Sequence, residues 1–101
     1  MCEFKIIRKN DDSQLVEDIV VISYDNDNRL VLKDIIGLGK TLDSALILEV
    51  NTLNQKTVIL ENPIVNGFIN LLVKLNDNSA TTSDADLIIN KLELLKGELS
   101  K

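Results

Sequence analysis

Histidine is absent from the 101 residues, and tryptophan with it. There is one cysteine, one proline and three aromatic side chains, Phe4, Tyr24 and Phe68. Each shortage removes a class of chemistry. Without histidine there is no Ser-His-Asp or Cys-His relay and no histidine-ligated zinc. A lone cysteine forms no internal disulfide and no four-cysteine zinc site within one chain. So few aromatics leave no base-stacking surface. Basic residues are also in deficit: 11 Lys+Arg stand against 16 Asp+Glu, for a net charge of -5. That balance argues against nucleic-acid binding driven by phosphate neutralisation. No apolar run approaches the ~18 residues of a membrane span, and no charged-then-apolar leader precedes the first strand pattern. The expected compartment is the cytoplasm.

Aliphatic side chains are plentiful. Hydrophobic residues make up 45% of the chain, enough for a core. In CEFKIIRK, Cys2, Phe4 and Ile6 alternate with Glu3 and Lys5, the period of a strand. KNDDSQ turns the chain, and LVEDIVVISY follows. Its run Ile19, Val20, Val21, Ile22 predicts a strand covered on both faces. DNDN at 25–28 is a tight-turn sequence, and RLVLKDII then sets Leu30 and Leu32 on one face. TLDSALILEV reads as a single strand with Leu46, Leu48 and Val50 on one side, and TVILE supplies the fifth strand. Five strands at about ten-residue spacing predict a small antiparallel β-barrel over 1–62.

The period changes at Pro63. Ile64, Val65, Phe68, Leu71, Leu72 and Leu75 recur at helical spacing. After the polar loop at 76–82, Ser83 and Asp86 resemble a capping box, and Ile88, Leu92, Leu95 and Leu99 mark a second helix that frays near Gly97. The expected architecture is mainly β: a five-stranded barrel followed by a helical hairpin over 63–101, packed on the barrel or at a dimer interface. A barrel of about 60 residues buries only about 60% of its surface and needs such support. Both helices carry extra apolar residues off the main stripe, at Ile69, Val73, Leu87 and Leu94. An interaction module working through these helices is therefore the alternative reading.

Several motifs look chemical. GLGKT at 37–41 resembles the end of a phosphate loop, but Asp34 holds the place of its first glycine and a strand follows, so it reads as a turn. DNDN is not an EF-hand, because Leu30 and Ile36 occupy the glycine and glutamate positions. Glu17-Asp18 and Asp11-Asp12 read as rim and turn charges, because strand neighbours point apart. No pair of acids suits acid/base catalysis, so no enzyme is expected.

Cys2 is different. Removal of Met1 would leave an amine and a thiol on one residue, a five-membered chelate. Two chains about a two-fold axis would then supply two nitrogens and two sulfurs, a set suited to square-planar Ni(II) or Cu(II). With Met1 retained, the nitrogen would be the Cys2 backbone amide. In phase with Phe4 and Ile6, the same cysteine also reads as a small core residue.

MCEFK, VEDIV (16–20), LKD (32–34) followed by Gly37, and LEVNTLNQKTVIL (48–60) resemble the CooT family. These are small nickel-binding accessory proteins of carbon monoxide dehydrogenase maturation, some formerly labelled RNA-binding. The resemblance covers residues 1–62. It implies a small β-barrel, a homodimer, Ni(II) held by Cys2 and a client metalloenzyme. It does not extend to the helices from Ile64 onward. Hydrogenase-maturation chaperones of the HypC type also begin Met-Cys on a small barrel, but their histidine is missing here.

Overall fold

The computed structural model describes residues 3–100. Seven strands precede two helices: β1 Phe4–Arg8, β2 Ser13–Ile19, β3 Val21–Tyr24, β4 Leu30–Lys33, β5 Gly39–Leu42, β6 Ala45–Asn51, β7 Lys56–Glu61, α1 Ile64–Asn76 and α2 Thr82–Leu99. They form a four-stranded sheet, order β2-β1-β7-β6, and a three-stranded sheet, order β3-β4-β5. The mainly β architecture with C-terminal helices is as expected. The five-stranded closed barrel is not: there are seven strands in two open sheets.

The corrections have local causes. The run Ile19–Ile22 does not form one strand. Asp18 sits at φ 60°, β2 ends at Ile19, and β3 restarts at Val21 in the other sheet. Val20 marks the corner, its N–H donating to the Lys33 carbonyl at 2.9 Å. A left-handed residue beside a register shift bends a strand enough to change sheets. The shift is visible across β1, where Phe4 faces Ile19 but Ile6 faces Val16. TLDSALILEV likewise breaks at Asp43-Ser44, so β5 and β6 belong to different sheets.

Nor is the strand pairing wholly antiparallel. β1 and β7 run parallel, with Lys5 opposite Lys56 and Arg8 opposite Ile59. That contact joins the two ends of the β region, and the alternation of either strand is silent about it.

Leu46, Leu48 and Val50 do not share one face. A bulge lies between Ile47 and Glu49, so Leu46 pairs with Leu60 but Val50 with Thr57, three residues apart on β7. One extra residue inverts the phase of a strand.

The core is the space between the sheets. Ile6, Ile19, Ala45 and Ile59 enter from the four-stranded sheet and Leu30 and Leu32 from the other, all fully buried. The larger of these side chains contribute about 1.5–3 kcal/mol each by leaving water.

α1 follows directly from β7. Asn62 Oδ1 accepts the Ile64 N–H at 3.0 Å, satisfying one free donor of the first turn. α2 starts earlier than Ser83 and Asp86 suggest. Its N-cap is Thr81, and the Asp84 carboxylate accepts from the Thr81 N–H at 2.9 Å and from its hydroxyl at 3.1 Å. The helix runs through Gly97 to Leu99 rather than fraying there. Among the described residues, no helix is long and apolar enough to cross a membrane.

Candidate metal centre

Cys2, the ligand expected from the sequence, lies outside the described residues. The chain that follows it is well anchored. β1 is an interior strand of its sheet, between β2 and β7. Phe4 faces Ile19, Lys5 faces Lys56, and the Lys5 N–H donates to the Gln55 carbonyl at 3.0 Å. This end of the sheet carries mixed charge. Lys56 pairs with Glu49 at 3.6 Å, and Glu17 and Asp18 are exposed at the β2 bulge. Among the described residues, no group of three or more cysteine or carboxylate side chains is placed to hold a metal ion.

The other sequence candidates resolve into structure. In the β4–β5 loop, Asp34 Oδ1 accepts from the N–H groups of Ile36 and Leu38, both at 3.0 Å. Those are donors a phosphate would need, and strand β5 rather than a helix follows. Gly37 turns the loop at φ 89°. Gly39 is required for close approach, since a Cβ there would lie 1.9 Å from the Leu32 carbonyl oxygen.

The DNDN turn holds a guanidinium. Asp25 accepts from the N–H groups of Asp27 and Arg29 at 2.9 Å each, and Arg29 pairs with Asp25 at 3.0 Å and Asp27 at 3.3 Å. The Arg29 N–H, more than any other contact, holds the Asp25 carboxyl below the usual range. Asp11 is held well below it too, by hydrogen bonds from the Arg8 guanidinium first and then from Ser13.

A polar cleft at the other end of the sheets is lined by Arg8, Asn10, Asp43, Ser44 and Asn62. Arg8, Asn10, Ser44 and Asn62 all have partners. Asn10 exchanges two 2.9 Å bonds with the backbone of Glu61, Arg8 bonds Asp11, and Ser44 binds the Asn62 carbonyl while accepting the Asn66 N–H. Ser44 thereby ties the β5–β6 turn to the start of α1, and Asn10 ties the β1–β2 turn to β7.

Sequence reasoning missed one surface. Ile35, Ile36 and Leu38 stand 66%, 74% and 63% exposed on the β4–β5 loop. Aliphatic residues within a glycine turn were the available signal, because a loop of that length has no inner face to hide them.

Residues 1–60 match the family described as CO dehydrogenase accessory protein CooT. The chain belongs to the CooT family. No curated protein and no solved structure matches it. The CooT match includes Cys2 and runs into β7, and both helices lie beyond it. The family description is that of an accessory protein rather than a catalyst, which supports a role in enzyme maturation. The CooT fold of this chain is thus two facing sheets, extended by a hairpin outside the matched region.

Proposed function

We propose that this CooT-family protein is a nickel-binding accessory protein that holds Ni(II) between two subunits through Cys2 of each. The observation that carries the reading is the family match over residues 1–60, which takes in the only cysteine of the chain. The chemistry supports it. Two thiolates and two nitrogens from paired chains complete a square-planar set that one chain half fills. No donor cluster among the described residues competes with it. Nickel here is cargo, and a client metalloenzyme of the CO dehydrogenase kind is its destination. The two sheets act as a carrier for the strand that follows Cys2. β1 is fixed on both sides, so the ligand starts from a rigid base.

The test is titration of tag-free protein with Ni(II), followed by absorbance and native mass spectrometry. A thiolate-to-nickel charge-transfer band saturating at one ion per two chains is expected. Cys2→Ser should abolish it. Retention of the band in Cys2→Ser, or saturation at one ion per chain, overturns the shared site.

A further inference from the structure

The hairpin is an unfinished layer. α1 carries Ile64, Val65, Phe68, Ile69, Leu71, Leu72, Val73 and Leu75 around a single charge, Lys74. Asn66, Asn70 and Lys74 form one polar stripe, and the apolar residues cover the rest, more than half of the circumference. Yet Val65 is the only buried residue of α1. Phe68, Leu72 and Leu75, spaced four and three apart, are 45%, 53% and 56% exposed. On α2, Leu87, Ile89, Leu92 and Leu94 are also about half exposed or more.

What the hairpin does bury is the seam between its own helices. Gly67 lies against Ile88, Lys74 Nζ reaches Asp84 at 3.1 Å, and Lys91 Nζ reaches the Pro63 carbonyl at 2.9 Å. These contacts engage two of the hairpin's cations internally. The stripe Phe68–Leu72–Leu75 is left both bare and uncharged.

The whole molecule shows the same deficit. Its accessible surface is 6867 Å². A compact monomer of 11.3 kDa exposes about 5,700 Å². The excess is about 1,100 Å², and each partner of a standard interface covers about 800 Å². The radius of gyration is 15.5 Å, against about 13 Å for a compact chain of this length.

We propose that the hairpin α1–α2 docks on the same hairpin of a second copy, α1 against α1 through Phe68, Leu72 and Leu75, to make a four-helix layer. The excess area is of the size that one side of such a dimer would cover. An uncharged stripe is self-complementary, because a two-fold axis sets it against itself without like-charge repulsion. Two antiparallel helices joined by a short loop are half of a four-helix bundle. The hairpin leaves the sheet from the Glu61 end of β7, and parallel register puts the start of β1 at the other end of that strand. The interface is therefore separate from the nickel reading and does not rest on it.

The test uses the full chain, metal-free, as Cys2→Ser, so the nickel ligand plays no part. Sedimentation equilibrium at micromolar concentration should give twice the chain mass. Phe68→Glu with Leu72→Glu should halve it. A monomeric Cys2→Ser protein overturns the proposal and gives the face to a different protein, and a double variant that folds and stays dimeric overturns it too. Should the glutamates prevent folding, cross-linking decides. Single cysteines at Phe68, Leu72 and Leu75 are placed in the cysteine-free Cys2→Ser background and oxidised. A covalent dimer from at least one of them is expected, and none from Leu53→Cys, a site 94% exposed on the β6–β7 turn. Equal cross-linking at Leu53, or none in the stripe, overturns the pairing.

Discussion

The phenol of Tyr24 on β3 donates a 2.6 Å hydrogen bond to the carbonyl of Ala45 on β6, tying the three-stranded sheet to the four-stranded one. Ala45 is fully buried, and Glu61 opposite it gives its N–H to Asn10. Tyr24→Phe removes this donor from a buried acceptor and should cost about 1–3 kcal/mol, read from the urea midpoint. Burial also holds the Tyr24 hydroxyl above its ordinary pKa. A raised value means stability that is full below the unfolded phenol's pKa of about 10 and is lost as pH climbs through the folded one. That alkaline loss should be smaller in Tyr24→Phe.

Thr57 on β7 presents the opposite case. It is fully buried, and its Oγ1 has no hydrogen-bond partner among the described residues. An unpartnered hydroxyl in an apolar core costs more than a methyl in the same place. Thr57→Val should therefore stabilise the protein by about 1 kcal/mol and raise the melting temperature by several degrees. A fall in melting temperature would show that the hydroxyl is served by a buried water.

Asp84 and Lys74 join the two helices across their loop. The Asp84 carboxyl is held below its ordinary range by the Thr81 N–H first, and then by Lys74. A lowered value means stability that is full above the unfolded carboxylate's pKa of about 3.9 and is lost as pH falls through the folded one. Helix content followed by circular dichroism should fall from about pH 4 downward. Asp84→Asn should have less helix at neutral pH and a flatter acid response.

Asn66 fixes the hairpin to the sheets. Its amide nitrogen donates to the carbonyls of Asp27 at 2.8 Å, Asp43 at 3.2 Å and Asn28 at 3.3 Å. One side chain thus bridges the β3–β4 and β5–β6 turns. Asn66→Ala should cost about 1–2 kcal/mol. Amide hydrogen exchange should quicken in α1 and in both turns while β1 and β7 stay protected. Uniform quickening across the sheets would show that the hairpin and the sheets unfold as one unit.

The sequence alone determined where side chains repeat and where the chain must turn. Leu30 and Leu32 read as sharing one face, and both are fully buried. Pro63 marked the change from strand to helix, because a period of two gives way to one of 3.6 there. The family segments were legible as well, since a match over 1–60 depends on residue identity and not on folding. Tertiary structure alone decided the rest. A left-handed Asp18 split an unbroken aliphatic run between two sheets. An extra residue at Leu48 put Leu46 and Val50 on opposite faces. Parallel pairing brought β1 beside β7 from fifty residues away. Periodicity reports which side of a strand is apolar. It carries no information about which distant strand supplies the hydrogen bonds, and only the folded backbone settles that.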